Sequence, residues 1–397
     1  MFARRTQWDL RPNALAAALA HRTRPWTDLT VSNPTAVGLD YPAAEIAAAW
    51  ASPAALRYRP DPRGWLPARE AIANYYRERG VAVAPEHLIL TASTSEGYAH
   101  LLRLLCDPGD RIHVPCPSYP LLDHLAALAD VEIARYPLWY EQAWHCDLAA
   151  LEQQLGERSR AILVIHPNNP TGSYCRMEEW QALAQMAARR RLALIVDEVF
   201  FDYVWDFAGV APPMQAYCAP EAAAPLVFVL NGFSKLCGLP QAKLAWIAVA
   251  GGDGAMRRSA LEKLEIIADT FLSVGGAVQI GAAALLAAGA TVRSRISARV
   301  AANLAVLDRA LASLPPESAT LVTRYAAEGG WSAVLRWPNV RGDEAWARML
   351  LDRADVLLHP GHFYDFASES ALVLSLLPDS SDFAAGVFRA LALAGEL

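Results

Sequence analysis

The chain has 397 residues, of which 54% are hydrophobic and 19% charged, and its formal net charge at pH 7 is −6. This composition is typical of a folded globular protein with a sizeable core, and it excludes a disordered chain. Because the chain is acidic and has no block of lysines and arginines, we expect no nucleic acid partner.

The six cysteines form no CxxC pair and show no metal-finger spacing. We interpret them as buried free thiols in a reducing compartment. The N-terminus lacks the apolar segment of a signal peptide, and no stretch reaches the ~18 consecutive apolar residues of a membrane helix. We therefore expect a soluble, cytoplasmic protein with no metal site and no membrane partner.

Short apolar runs alternate with helical patterns through the middle of the chain. The runs are rich in valine, isoleucine and leucine and mostly lack strict alternation, which favours strands buried on both faces. The predicted strands are Leu88–Ser93, Arg111–Pro115, Val131–Tyr136, Ala161–His166, Leu192–Val199, Leu226–Leu230 and Lys243–Ala250, and the helices between them are Glu96–Leu105, Leu121–Leu128, Leu148–Leu155 and Glu178–Arg190. This repetition predicts an α/β fold with a mainly parallel, doubly wound sheet, in which ligands bind at the carboxyl ends of the strands.

The pattern changes after a long predicted helix at Val278–Leu314. Paired strands, a helix, two further strands and a final helix follow, at 319–325, 331–337, Glu344–Arg353, 356–359, 371–377 and from about Ser381. This order favours a second, smaller α+β domain. We predict an N-terminal segment at 1–45 that packs with the small domain, a large domain at 46–285 and the small domain at 286–397.

Reactive residue types concentrate where predicted strands end. The stretch Asn231–Pro240, NGFSKLCGLP, follows an apolar strand and contains Lys235. A lysine at a strand exit in an apolar setting can have a lowered pKa, which makes it a candidate for Schiff-base formation. A single lysine is more often a solvated surface residue, so this interpretation depends on the other strand ends.

Three other strand ends carry polar residues. The segment 166–172, HPNNPTG, directly follows a predicted strand and contains Asn169. Asp197 ends another buried strand, where a carboxylate is unfavourable unless it is paired. Ser93, Thr94 and Ser95 open a helix, where hydroxyls and free N–H groups form an anion site; a plain helix cap is the alternative interpretation of these three residues.

Together these groups match the needs of pyridoxal 5′-phosphate (PLP), which takes a lysine for its Schiff base, an anion site for its phosphate and a carboxylate beside its pyridine nitrogen. In order and spacing they resemble the class I and II aminotransferases, PLP enzymes of fold type I, over nearly the whole chain. The motifs that carry the resemblance are NNPTG, FSK and GLP, with SNPT at 32–35, YRPDPRG at 58–64, the segment 68–76, PCPSYP at 115–120 and DEV at 197–199. The resemblance implies a PLP-binding large domain and the transfer of an amino group from an amino acid to a 2-oxo acid.

The resemblance also implies a role for each candidate residue. Lys235 would hold PLP as a Schiff base and move the proton during catalysis, and Asp197 would pair with the pyridinium nitrogen; these two are the predicted catalytic residues. The other predicted cofactor contacts are Asn169 at the phenolic oxygen, Tyr119 on the ring face, and Ser93, Thr94, Ser95 and Lys243 at the phosphate. Tyr58 would reach the phosphate of the neighbouring subunit, which implies a homodimer with shared active sites.

Three positions near the cofactor depart from the family pattern. Gly232 replaces a serine three residues before the lysine, Lys243 replaces a phosphate-binding arginine, and Phe200 replaces a tyrosine that donates to the phenolic oxygen. Lysine keeps the positive charge of arginine but loses its bidentate geometry. Each change is expected to weaken one cofactor contact.

A fourth departure bears on the substrate. Val373 stands where an arginine of the family usually binds the α-carboxylate, and no arginine occurs between residues 355 and 388. We therefore expect either weak affinity for simple amino acids or a replacement cation from elsewhere. Arg5, Arg63 and His362 are the candidates for that replacement.

Two alternatives to the aminotransferase remain at this stage. The missing arginine favours another PLP reaction on the same scaffold, which could be a lyase, decarboxylase, racemase or oxidase reaction. A non-catalytic PLP-binding module ranks third, because no segment is left over for a DNA-binding domain and the charge is acidic.

Overall fold

The computed structural model describes residues 1–205, 224–366 and 370–396. In chain order its strands are β1 (Thr27–Asp28), β2 (Leu88–Thr91), β3 (Arg111–Cys116), β4 (Glu132–Glu141), β5 (Ala143–Cys146), β6 (Ser159–Ile165), β7 (Ala193–Asp197), β8 (Leu226–Gly232), β9 (Ala245–Gly251), β10 (Thr323–Arg324), β11 (Ser332–Trp337), β12 (Val356–Leu357), β13 (His359–Pro360) and β14 (Ser370–Ser375). Its α-helices are α1 (Ala14–Ala20), α2 (Ala43–Trp50), α3 (Leu66–Arg77), α4 (Thr94–Leu105), α5 (Leu121–Leu128), α6 (Leu148–Gln154), α7 (Met177–Arg190), α8 (Phe233–Leu236), α9 (Gly254–Asp269), α10 (Gly276–Ile280), α11 (Ala282–Ala312), α12 (Pro316–Ala319), α13 (Asp343–Met349) and α14 (Ser380–Ala392).

The large sheet has the strand order β2-β9-β8-β7-β6-β3-β4-β5. The neighbours from β8 through β7, β6 and β3 to β4 run parallel, whereas β9 runs antiparallel to β8 and β2, and β5 runs antiparallel to β4. Residues of β7 and β9 are buried on both faces of the sheet, which explains why their sequences are continuous apolar runs. The predicted mainly parallel, doubly wound sheet is confirmed.

A smaller antiparallel sheet, ordered β10-β11-β14-β13, lies in the C-terminal part of the chain. One face packs with α11, α13 and α14 around a core that includes Trp346, Leu372 and Phe383. Strand β1 pairs in parallel with β12 through Thr27 and Val356. This pairing supports the placement of the N-terminal segment beside the small unit, while the domain boundaries at 45 and 285 remain a prediction.

Helix α11 runs through both hydrophobic cores. Leu285 packs in a core of the large sheet, and Leu307 packs in the core of the small sheet. The 31 residues of this helix extend over about 46 Å at 1.5 Å per residue. At Gly289 an added Cβ would come within 2.5 Å of Cys237, the residue that follows α8. The helix therefore packs directly against the turn that carries Lys235.

The helices differ from prediction in several places, and α1, α2 and α3 were not among the predicted elements. The helix expected at 278–314 breaks at Gly281, where an added Cβ would come within 2.4 Å of the Ala49 carbonyl oxygen. This close approach of α2 divides the segment into α10 and α11. Helix α9 has no counterpart among the predicted elements.

Two predicted strands of the small unit are shorter than expected. The strand expected at 319–325 is reduced to β10, because Pro316–Ala319 forms a helical turn. The strand expected at 356–359 is divided between β12 and β13, which pair in different sheets. Such division reflects tertiary pairing, which an apolar run does not encode.

Candidate active site

A cavity of about 480 Å³ opens at the carboxyl ends of the parallel strands, where the small sheet faces the large one. The loops that follow β2, β3, β6 and β7 contribute to its wall, as expected for a sheet of this topology. Eight of the nine predicted site residues line it: Ser93, Thr94, Ser95, Tyr119, Asn169, Asp197, Lys235 and Lys243. The fold thus brings together side chains that are up to 150 positions apart in the sequence.

Tyr58 is the predicted residue that does not line this cavity. Its side chain is 82% exposed. It lies instead in a second cavity, of about 360 Å³, whose lining includes Arg59, Trp65 and Gln279. Its contact with the phosphate of a neighbouring subunit therefore stays a prediction.

Lys235 lies in the short helix α8, directly after the buried strand β8. Its carbonyl oxygen accepts a hydrogen bond of 2.6 Å from the Tyr203 hydroxyl, which fixes the backbone at this turn. Its amine nitrogen lies 4.9 Å from the ring centre of Trp331 and 5.4 Å from that of Phe200. Burial lowers the pKa of the Lys235 amine to about 8, and the charge of Asp197 partly opposes this shift. The amine is therefore far more reactive near neutral pH than that of an exposed lysine.

Asp197 ends β7 and is buried, with 8% of its surface exposed. The Tyr98 hydroxyl donates to its Oδ2 at 2.6 Å, and the backbone N–H of Val199 donates to its Oδ1 at 3.0 Å. Burial raises the pKa of Asp197, while these two hydrogen bonds and the charge of Lys235 oppose the shift. A carboxylate held in this way is a suitable partner for a cation in the cavity.

The N-terminus of α4 lines the cavity and has the groups that the predicted anion site requires. Ser93 caps the helix, and its hydroxyl accepts a hydrogen bond of 3.1 Å from the backbone N–H of Glu96. Thr94 and Ser95 follow in the first turn, where backbone N–H groups and the helix dipole favour an anion. Lys243 lines the same cavity and adds a positive charge.

Tyr119, Asn169 and Phe200 complete the predicted cofactor environment. Tyr119 follows β3 and is 48% exposed, so its ring is available to a ligand. Asn169 lies in the loop after β6, and Phe200 lies shortly after Asp197; both line the cavity. The positions are compatible with the predicted roles, which remain predictions.

The candidate replacement cations have other partners. Val373 lines the cavity as expected. Arg5, however, forms an ion pair with Asp130, and Arg63 forms one with Glu265 at 2.6 Å. The backbone N–H of His362 donates to the carboxylate of Asp343, and its imidazole Nδ1 lies 3.1 Å from the same carboxylate. None of the three candidates is among the cavity-lining residues.

Several cavity residues had no role in the sequence prediction. They are Thr30, Tyr98, Ser234, Trp331, Ser332, His359, Tyr364 and Ser375. Tyr98 lies one helical turn after Thr94 and Ser95 in α4, so helical periodicity could have placed it on the same face. Residues of the small sheet carry no comparable local signal, because only the tertiary fold brings them to the cavity.

The family model of aminotransferases of class I and II matches residues 26–379, and the chain belongs to this family. Among the described residues, no helix is long and apolar enough to cross a membrane.

Curated relatives match about half of the chain. Tyrosine aminotransferase of Homo sapiens is 30% identical over 186 residues, which are 47% of this chain and 40% of that protein. The S-alkyl-thiohydroximate lyase of Arabidopsis thaliana is 30% identical over 201 residues, which are 48% of this chain and 40% of that protein. The chain thus covers less than half the length of these two relatives.

A solved structure, alanine aminotransferase from Pyrococcus furiosus, superposes with a TM-score of 0.83 over 96% of this chain and 95% of that one, at 21% sequence identity. This similarity confirms the predicted fold type.

Proposed function

We propose that the protein is a PLP-dependent aminotransferase, which transfers an amino group between an amino compound and a carbonyl compound. One observation carries the proposal: Lys235, Asp197 and the N-terminus of α4 converge on a single cavity. Family membership and the named relatives support the same reaction class.

The donor set of the cavity fits PLP. Lys235 offers an amine whose pKa is about 8, and Asp197 offers a buried carboxylate held by two hydrogen bonds. The capped start of α4 and Lys243 offer an anion site for the phosphate. These are the three kinds of group that the cofactor needs.

When bound, PLP supplies an electron-withdrawing ring that stabilises negative charge on the donor carbon beside the amine. Lys235 would hold the cofactor and, once the donor has displaced it, would take the proton from that carbon as a general base. A pKa of about 8 suits both tasks because the unprotonated amine is the reactive form. Asp197 would keep a proton on the pyridine nitrogen through opposite-charge pairing.

A lyase on the same scaffold is the second candidate function. One relative is named as an S-alkyl-thiohydroximate lyase, and the replaced arginine at Val373 removes the usual carboxylate partner. The non-catalytic PLP-binding module ranks third, since Lys235 and Asp197 both line the cavity with the groups expected for catalysis.

A homodimer and a cytoplasmic location complete the proposal. The exposed Tyr58 loop supports the dimer, because its aromatic side chain is open to a second subunit. The cysteines within the described ranges are free thiols, in keeping with a reducing compartment. The prediction that they are buried holds for Cys237, whereas the other described cysteines are partly exposed, and Cys218 lies outside those ranges. Analytical ultracentrifugation of the PLP-loaded protein tests the dimer.

The reaction class is tested by mixing the PLP-loaded protein with a panel of amino donors. An aminotransferase converts the cofactor to its amine form, with loss of visible absorbance, and releases one carbonyl product per site. Subsequent addition of a carbonyl acceptor should restore the visible band. Release of ammonia without loss of that band would instead favour the lyase, and PLP binding with no turnover of any amino acid would favour the non-catalytic binding module.

Tyr98 gives a first prediction within this proposal. Tyr98→Phe removes the hydroxyl that donates to Asp197 and so raises the pKa of this carboxyl further above its ordinary value. Since Asp197 acts as an anion, activity on the acidic side should be lost at a higher pH than in the wild type. We expect turnover near pH 7 to fall about 10- to 100-fold, the range of a hydrogen bond to a charged group.

The measurement is a pH profile of the half-reaction with the amino donor. Tyr75→Phe is the matched control, because the Tyr75 hydroxyl donates at 2.7 Å to Asp202, a carboxylate that does not line the cavity. An acidic limb that stays in place in Tyr98→Phe contradicts the assigned role of Tyr98.

A further inference from the structure

The charged side chains that one subunit brings to the cavity are few, and the cofactor would engage all of them. Those that line it are Asp197, Lys235 and Lys243. Lys235 would hold the cofactor, Asp197 would pair with the ring nitrogen, and Lys243 would add to the phosphate site. The stretches 206–223 and 367–369, which the structure does not describe, contain no lysine, arginine or histidine. One subunit of the proposed homodimer therefore brings no further lysine or arginine to the cavity.

The wall that the small sheet contributes is neutral. Strand β14 supplies Val373 and Ser375, and the residues at the start of β11 supply Trp331 and Ser332. Val373 lies opposite His359 in the β13–β14 pairing. This wall therefore consists of apolar side chains, such as Val373 and Trp331, and of serine hydroxyl groups.

Among the described residues of this wall, His359 is the side chain that could carry a positive charge. Its Nδ1 lies 3.1 Å from the Tyr364 hydroxyl. Burial lowers the pKa of His359 below its ordinary value of 6.5, and the charge of Asp28 only partly opposes the shift. At pH 7 the imidazole is therefore neutral. Like the Tyr364 and Ser375 hydroxyls, it can exchange hydrogen bonds with an uncharged polar group.

We propose, on the basis of the proposed aminotransferase function, that the amino donor carries a neutral polar group beside its amine, as an amino alcohol does, rather than a carboxylate. An unpaired carboxylate against this wall would lose its hydration without gaining a counter-charge. A hydroxyl group can be satisfied by the serine, tyrosine and histidine side chains present.

The reaction for such a donor is a balanced transfer. The donor loses its amino group and the hydrogen on the same carbon, and a water molecule supplies the oxygen of the resulting hydroxy-carbonyl compound. The two electrons pass to the aldehyde carbon of PLP, which becomes an amine, and the aldehyde oxygen leaves as water, so no net water is consumed. A carbonyl compound of matching neutral class then receives the amino group and restores the aldehyde.

Matched donor pairs test the proposal on the PLP-loaded wild-type protein. The pairs are L-alanine and L-alaninol, L-leucine and L-leucinol, and L-phenylalanine and L-phenylalaninol. The second-order rate of visible-band loss should favour the alcohol by at least about tenfold in each pair, because an unpaired charge is disfavoured by more than the 1.4 kcal/mol that this factor represents. Rates that favour the amino acids would overturn the proposal while leaving the aminotransferase function standing. If no donor converts the cofactor, the proposed function itself fails.

A charge introduced at Val373 gives a second, independent measurement. Val373→Arg places a guanidinium on the cavity wall opposite His359, where it can pair with a carboxylate. The ratio of amino acid rate to amino alcohol rate should rise at least about tenfold. Val373→Met is the matched control for added bulk, and its ratio should stay near that of the wild type. Because both donors are compared in the same preparation, the ratio does not depend on the folded fraction, and an unchanged ratio in a PLP-binding Val373→Arg variant contradicts the proposal.

Discussion

Replacement of Lys235 by alanine is expected to reduce the half-reaction by about a thousandfold or more, because both cofactor attachment and proton transfer would be lost. The side chain is the amine of the cavity with a pKa lowered to about 8. Lys263→Ala is the matched control, since Lys263 is exposed on α9 and far from the cavity-lining set. Retention of near-normal turnover by Lys235→Ala would exclude the assigned role.

The lysine that binds PLP covalently can be identified by chemical labelling. The chain contains three lysines, at positions 235, 243 and 263. Borohydride reduction of the PLP-loaded protein followed by peptide mapping should label Lys235 alone. Label on Lys243, which lines the same cavity, would reassign the two roles.

The pH dependence of cofactor capture follows from the same amine. Below its pKa of about 8, Lys235 is mostly protonated and unreactive; above it, the amine is mostly free. The rate at which the cofactor-free protein captures PLP should therefore rise as the pH increases from 7 to 9 and then level off. An exposed lysine with a pKa near 10.4 would still be gaining reactivity at pH 10.

Asp197→Asn should lower proton abstraction by about 10- to 1,000-fold, because loss of an opposite charge changes the pKa of its partner by 1–3 units. The asparagine has nearly the same shape, so the fold and the bound cofactor should persist. The measurement is the rate of α-hydrogen exchange from a deuterated donor.

Glu198→Gln is the matched control for the loss of a buried carboxyl group. Glu198 follows Asp197 in the chain but does not line the cavity, and burial raises its pKa to about 8. It is thus mostly protonated at pH 7 already, and glutamine preserves its charge and shape. A similar rate loss in both variants would show that Asp197 acts through the fold rather than through the ring nitrogen.

Local sequence was sufficient to predict most of the residues that line the candidate site. Lys235 and Asn169 follow buried strands and Asp197 ends one, and the apolar runs before them are unambiguous. Because parallel strands end at one edge of a sheet, their convergence in one cavity follows from the topology. The direction of β9 relative to its neighbours could not be predicted in the same way. An apolar run shows the same pattern in a parallel strand and in an antiparallel strand.

The features of the site that could not be predicted depend on contacts between segments that are distant in the sequence. The hydrogen bond from Tyr98 to Asp197 joins residues 99 positions apart, and the ion pair of Arg63 with Glu265 joins residues 202 positions apart. The second contact occupies Arg63, which the sequence analysis offered as a cation for the α-carboxylate. Charge partners of this kind depend on the packing of α9, a helix that the sequence pattern did not reveal.

The continuity of α11 has a consequence for how the molecule melts. A single uninterrupted helix supplies Leu285 to one hydrophobic core and Leu307 to the other. Loss of this helix as a whole would expose apolar surface in both cores, so disorder of one core should destabilise the other. The two units should therefore denature as one cooperative transition, with a single calorimetric peak.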